Sequence, residues 1–555
     1  MKRVMCKTYV VSAVLLLILS VPLEAQLLPA MTYGGSHDER CNGIVADPNG
    51  NGYILVGWTK SYGPGTPNFS NVLAVKTDSA GLSEGAKISL GTEDDQAQSI
   101  ITTLDGGFAI AGWTESYGAD SVGTNAFVVK IDANGAFQWG WVYSDIPGLG
   151  RNMPAYSIAQ TRDSGYVLTG WSDFSGGNHS IYLLKIDANG NFVYLMNYWF
   201  PPNSVDEGYS IYALPAPMPY EILIAGRANI SSLSNYDAFV IALDSLGLPV
   251  FPASIIPGAS EDEAYSVTWD GMNAVVAGWT NSYGPGLPNA NAIIWKTDFI
   301  APDAGFAYGL DNEEKIMGDR ALIKTMSGDY AACGWTTSAG PGIPNPNMLI
   351  FKVDTTLAGM QWVRVHPSAG GLLNDQAYSI VETSRGYAIA GFTNSFGLGG
   401  EDFHLVTLDP SGDRPVCVID TSLQLAPFDV DFSAFQYASF PLIFQVPITV
   451  QDTIVDYYPI CSIPPGIREQ SRKATSNDLS LTASFERITV QLNLSGWLNL
   501  NLYDVSGRHV FDLAHGQFAK GTHSFNLPKN LSAGVYFVSA DFESMKKSTK
   551  VIRYQ

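Results

Sequence analysis

One short phrase recurs seven times along the chain: ILVGWT ending at Thr59, AIAGWT at Thr114, VLTGWS at Ser172, ILIAGRA at Ala228, VVAGWT at Thr280, AACGWT at Thr336 and AIAGFT at Thr393. Its glycines, Gly57, Gly112, Gly170, Gly226, Gly278, Gly334 and Gly391, lie 55, 58, 56, 52, 56 and 57 residues apart. So regular a period means stacked copies of one unit, because a single unit of that size cannot bury its own apolar face.

Each unit has a fixed order. A segment such as DQAYSI (Asp375 to Ile380) leads through a polar turn to the Gly-Trp run. A Gly/Pro-rich loop follows, then a run such as FVVKID (Phe127 to Asp132). After a turn at Asn134 and Gly135 comes an aromatic segment with Trp139 and Trp141. These runs are short, rich in Val, Ile and aromatics, and bounded by Gly, Pro, Asn or Asp, and none has helical periodicity. Each unit therefore reads as a four-stranded antiparallel sheet, and the fold class is all-β, with residues 26–412 forming a seven-bladed β-propeller. The seventh unit lacks a fourth strand after Leu408 and Asp409, whereas Leu27 to Gly35 stands ahead of the first unit in the place of one. We expect that stretch to complete the seventh blade and cover an otherwise open edge. Small residues in the first segments (Cys41, Ala97, Ala155, Gly208, Ala264, Ala321 and Ala377) match the crowding where blades converge, and the larger Trp58, Trp113, Trp171, Trp279 and Trp335 fill the wedge further out.

Of the 555 residues 46% are hydrophobic and 15% charged, which excludes disorder. The net charge of -21 repels phosphate backbones, so no nucleic-acid partner is expected. Lys2, Arg3 and Lys7 precede an apolar run from Tyr9 to Leu19 that closes at Ala25, the pattern of a cleavable signal peptide over residues 1–25. No later run approaches ~18 apolar residues, so no membrane span is expected in the mature chain. Four cysteines follow the signal: Cys41, Cys333, Cys417 and Cys461. Cys333 replaces an Ala of the repeat and reads as a packed apolar thiol. Cys417 and Cys461 bracket one strand-rich stretch and are candidates for a disulfide in an oxidising compartment, although spacing alone does not fix connectivity.

Residues 413–475 alternate apolar and polar without the repeat signature and read as a small β-rich linker module. From residue 476 to 555 the balance turns basic, and the strands ITVQLNL, LNLNLYDV, GTHSFNL, AGVYFVSAD and STKVIRY fit an antiparallel Ig-like β-sandwich. NLYDVSGRHV (Asn501 to Val510), LSAGVYFVSA (Leu531 to Ala540) and KKSTKVIRYQ (Lys546 to Gln555) resemble the C-terminal sorting domain of type IX secretion systems. The resemblance implies Sec export, recognition of residues 476–555 by the outer-membrane secretion machinery, and a secreted or outer cell-surface location.

A carboxylate opens the first segment in six units: Glu39, Asp95, Asp206, Asp262, Asp319 and Asp375. Gathered at one mouth they suit Ca²⁺ or a basic ligand, and equally they suit caps on backbone N–H groups of adjoining blades. The loops SYGPGTPN (Ser61 to Asn68), SYGADSVGTN (Ser116 to Asn125) and SYGPGLPN (Ser282 to Asn289) bring Tyr62, Tyr117 and Tyr283 beside amides on the same face. That combination suits carbohydrate recognition, or else turn-shaping with the rings packed on a neighbouring blade. The seven histidines are expected at solvated surface positions, away from metal-ligand spacing. No GxSxG, Walker or GxGxxG motif occurs, so no catalytic residue and no cofactor beyond Ca²⁺ is indicated. Two readings stand: a non-catalytic binding or adhesion module for a glycan or surface protein, or a polysaccharide hydrolase using two mouth carboxylates.

Overall fold

The computed structural model describes residues 30–459 and 479–553 apart from short interruptions, the longest at 145–150 and 367–372. Residues 1–25, read from the sequence as a signal peptide, lie outside the described residues, as do Cys417 and Cys461. Every regular element among the described residues is a strand.

Seven antiparallel sheets follow the seven repeats. The first comprises Glu39–Ala46, Tyr53–Thr59, Asn71–Thr77 and Ser83–Ser89, in that order from the axis outward. The first strand of each blade packs against the first strands of the blades on either side, and the first strand of blade one meets that of blade seven, which closes the ring. The fold is a seven-bladed β-propeller. Its core lies between blades, where large rings such as Tyr33, Tyr143, Tyr198 and Tyr308 are fully buried and donate hydroxyls to the carbonyls of Gly81, Gly190, Gly247 and Leu357 in adjacent blades. The ring is also tied by one repeated backbone bond: the amides of Glu39, Asp95, Met153, Asp206, Asp262, Glu314 and Asp375 each donate to a carbonyl of the preceding blade.

The expected clasp is present. Ala30–Gly34 pairs antiparallel with Asp402–Leu408 as the fourth strand of blade seven.

The region read as a linker is organised differently. Seven short strands between Ile419 and Pro459 each add a fifth, outermost strand to one blade. They visit blade six at Ile419–Asp420, five at Gln424–Asp429, four at Asp431–Ser433, three at Gln436–Phe440, two at Phe444–Pro447, one at Val450–Thr453 and seven at Asp456–Pro459. The reverse order has a simple cause. Each fourth strand carries the chain on toward the next blade, so a strand antiparallel to it travels back toward the previous one. Residues 419–459 are thus a belt around the propeller and belong to one compact unit with it.

Residues 465–555 form a second unit. A three-stranded sheet (Leu479–Ser484, Arg487–Leu492, Gly521–Asn526) and a four-stranded sheet (His509–Phe518, Gly496–Asp504, Gly534–Phe542, Met545–Arg553) share one buried cluster. Alternate residues Ile488, Val490 and Leu492 of one sheet meet Leu498, Leu500, Leu502, Val538 and Phe542 of the other, the period-two pattern of a sandwich.

Two truncations test this arrangement. A chain ending at residue 412, which keeps every repeat but loses the belt, should melt several degrees lower, and so should one lacking residues 26–35. A thermal melt by circular dichroism that matches the full mature chain in either case would contradict the corresponding pairing.

Candidate functional site at the axial mouth

The repeat glycine sets up the site. A Cβ at Gly57 would collide with the carbonyl oxygen of Arg40 on the first strand, and the same clash recurs at Gly112, Gly170, Gly226, Gly278, Gly334 and Gly391. The close approach accompanies a β-bulge. In blade one Cys41 pairs with Gly57 and Gly43 with Val56, so Asn42 is the extra, unpaired residue. Gln98, Tyr156, Tyr209, Tyr265 and Tyr378 occupy the same place in blades two, three, four, five and seven. A bulge re-aims one side chain. Here all six bulged residues line a cavity of about 360 Å³ on the propeller axis.

Blade six differs. Between Lys315 and Leu322 it carries five residues beyond Ile316, and this longer path replaces the bulge. Asp319 at its centre is buried and floors the cavity. Its carboxylate accepts hydrogen bonds from the hydroxyls of Ser99 and Ser157, both at 2.6 Å, and its carbonyl accepts from Ser210 at 3.1 Å and Ser266 at 2.9 Å. The serines in turn accept backbone amides of the following blades, as in Ile211 to Ser157, Val267 to Ser210 and Leu322 to Ser266. Asp319 therefore joins four blades and plugs the channel.

The aromatic part of the cavity wall has its hydroxyls already engaged. Tyr209 and Tyr265 stack at 4.5 Å with rings 4° apart, and Tyr156 lies 5.6 Å from Tyr209. Tyr209 and Tyr265 donate to Glu207 and Glu263, Tyr378 donates to Gln376, and Tyr156 accepts from the Trp171 indole. Burial pushes these phenols up, so they stay protonated. Glu207 and Glu263 both pair with Arg227, which sits 4.1 Å over the Tyr236 ring. On the other side Arg40 pairs with Glu401 and lies over Phe392 at 4.5 Å. A second hollow of about 550 Å³ shares Arg40, Trp58 and Gln96 with the first and continues past Lys60, Asp94 and Trp113.

The carboxylates singled out from sequence lie above this wall, inside the blades. Glu39 accepts Thr59, Asp95 accepts Thr114 and Ser116, Asp262 accepts Thr280 and Ser282, and Asp375 accepts Thr393 and Ser395. Asp206 accepts the Phe200 amide at 2.9 Å and the Ser204 hydroxyl. Desolvation raises all five, with Asp95 pushed to about 6 and Asp206 and Asp262 to about 7. In blade six this position belongs to Glu314, which accepts Thr336 at 2.7 Å, and not to Asp319. Among the described residues no group of three or more His, Cys, Asp or Glu is placed to hold a metal ion.

The loops do flank the same face, since the Ser61 amide bonds Glu39. Their tyrosines are half-buried against neighbouring blades, Tyr62 donating to the Gly34 carbonyl at 3.0 Å and Tyr283 to that of Pro257, while Tyr117 packs beside the core between blades one and two. Two histidines depart from the expected solvated positions. His366 and His404 are fully buried with ring centroids 4.8 Å apart and no hydrogen-bond partner among the described residues at any ring nitrogen, and burial holds both below the usual imidazole range. The channel tyrosines were missed at the sequence level. Their signal is a Tyr directly before the Ser in four first segments, out of phase with the small residue that faces the preceding blade.

Residues 484–553 match the family model described as a secretion system C-terminal sorting domain. The match falls within the sandwich unit and agrees with the resemblance drawn from 476–555. It marks the chain for handling by a type IX secretion system and for a secreted or cell-surface location. No curated protein matches the chain. No helix among the described residues is long and apolar enough to cross a membrane.

Two predictions follow from the buried carboxylates. Asp319→Ala strands the Ser99 and Ser157 hydroxyls, and should cost about 2–3 kcal/mol in denaturant unfolding; a loss under about 0.5 kcal/mol would contradict the plug. Asp206 and Asp262 keep protons in the folded chain at pH values where an unfolded Asp, near pKa 3.9, has lost them. Stability therefore falls as pH rises toward the folded pKa of about 7 and levels off above it. Over pH 5–7, Asp262→Asn should lose about 2 kcal/mol less stability than the parent, read from urea midpoints at each pH.

Proposed function

We propose that the protein is a secreted or cell-surface binding and adhesion module, without catalysis of its own, whose propeller takes a carbohydrate at the axial mouth. The observation that carries this reading is the cavity walled by Tyr156, Tyr209, Tyr265 and Tyr378 beside Asn42, Gln96 and Gln98. Flat rings with engaged hydroxyls offer apolar faces to the C–H faces of a sugar, and the amides supply paired donors and acceptors for its hydroxyls. The adjoining hollow, with half-buried Trp58 and Trp113, extends that surface outward over blades one and two and suits an oligosaccharide longer than one ring. The hydrolase reading draws less support. It needs two uncommitted carboxyl groups facing one glycosidic bond, whereas Asp319 holds two serines and Glu207 and Glu263 share Arg227.

The test is a glycan array probed with the mature chain, with Ca²⁺ and again with chelator. Retention of a glycan class in both conditions is expected, since the wall needs no metal. Gln98→Ala and Tyr265→Ala should each weaken it about tenfold, roughly 1.4 kcal/mol, while Tyr62→Phe should not. Silence on every glycan would sink the carbohydrate reading and turn the search to surface proteins. Turnover of a polysaccharide, abolished by Asp262→Asn in a folded protein, would establish the hydrolase instead.

A further inference from the structure

The cavity on the axis is a blind pit. Each blade places at least one residue on its wall, from Asn42 in blade one to Tyr378 in blade seven, and Asp319 of blade six forms the floor. Its volume of about 360 Å³ stands near the lower end of the ~300–1,000 Å³ of ligand pockets, which is room for roughly one or two sugar rings.

The way out is one-sided. The adjoining hollow shares Arg40, Trp58 and Gln96 with the pit and runs over blades seven, one and two, where Trp58 and Trp113 are half-buried. Across the mouth the corresponding rings are covered. His179 lies flat on Trp171 with ring centroids 3.7 Å apart, and Lys315 stands 3.8 Å over the Trp279 ring. In blade four Arg227 takes the place of the Trp and ties Glu207 to Glu263.

The pit also presents acceptors. Asn42 donates an amide N–H to the Ala97 carbonyl at 2.8 Å and Gln98 donates one to the Gln96 Oε1 at 3.3 Å, while their own amide oxygens have no partner among the described residues. Each carboxylate oxygen of Asp319 accepts one serine hydroxyl and keeps a further lone pair. Acceptors suit a ligand end rich in donors. A terminal sugar is such an end, because it retains a hydroxyl that a glycosidic linkage consumes in the residues along the chain. A chain gripped by its interior must moreover enter a site on one side and leave on another, and the closed floor and the covered rim over blades three to five oppose that course.

We infer that the axial cavity takes a glycan by its end, the terminal residue standing on Asp319 between Asn42, Gln98 and the tyrosines, and the rest of the chain leaving over Trp58 and Trp113. The inference rests on the carbohydrate reading of the same cavity and adds which part of a glycan is held. Chain ends and short oligosaccharides are its ligands, and the interior of a long polymer is not.

The experiment titrates the full mature chain by calorimetry with starch, xylan, mannan and a mixed-linkage β-glucan, each intact and after partial hydrolysis to chains about tenfold shorter. For a polysaccharide that binds, the protein bound per gram of glycan should rise about tenfold on shortening, in step with the number of ends. Gln98→Trp and Asn42→Trp fill the pit from two different blades, and each, with a melting temperature near that of the parent, should abolish binding of the short chains. Binding per gram that is unchanged by shortening, or a folded pit-filling variant that binds as the parent does, would overturn the inference and leave the carbohydrate function standing. Silence with all four glycans and on the array would remove that function, and the inference with it.

Discussion

The contact between a first-strand carbonyl and a second-strand glycine underlies the rest of the propeller. It occurs in all seven blades, between Arg40 and Gly57 in the first and between Gln376 and Gly391 in the last. Any side chain at the glycine would push the strands apart, and in six blades the bulge beside it would be lost. With the bulge would go the displaced residue that faces the axis, and the register that carries the following Ser to the next blade's amide. One missing Cβ thus joins local geometry, blade-to-blade attachment and the composition of the channel wall. It also explains why blade six can depart from the pattern. Its longer path keeps the Lys315 carbonyl on Gly334 but sends Asp319 to the axis, where one carboxylate serves the serines that the other blades present.

How much of this the sequence reveals depends on whether a feature repeats. The blades, the clasp at Ala30–Gly34 and the small residues opposite the repeat glycine in six blades follow from copies of one pattern, whereas in blade six the residue opposite Gly334 is Ile316 and not Ala321. Asp319 misleads because Asp-Arg-Ala at 319–321 mimics the Asp-Gln-Ala of 375–377, whereas the hydrogen-bonded counterpart of Asp375 is Glu314. The channel tyrosines stand within the repeat, but strand alternation alone assigns them no face, since the bulge breaks that alternation where it matters. The Tyr62 and Tyr283 loops attract attention as exposed aromatics, yet their hydroxyls are spent on the carbonyls of Gly34 and Pro257.

The belt is hidden for a different reason. Its strands are two to six residues long and attach through backbone hydrogen bonds to an edge already formed, so no side-chain pattern needs to recur. What fixes their order is direction, because antiparallel pairing with successive fourth strands leaves only the backward route around the ring. The consequence reaches export. Ala30–Gly34 is not an edge but an inner strand, held between Asp402–Leu408 and Asp456–Pro459. Blade seven is therefore assembled from the two ends of the propeller segment and is complete only once residue 459 exists. The sorting domain follows shortly after in the chain. A chain long enough to carry the sorting domain is then also one that holds every segment its propeller needs, so the order of the sequence itself couples a complete blade seven to the signal for export.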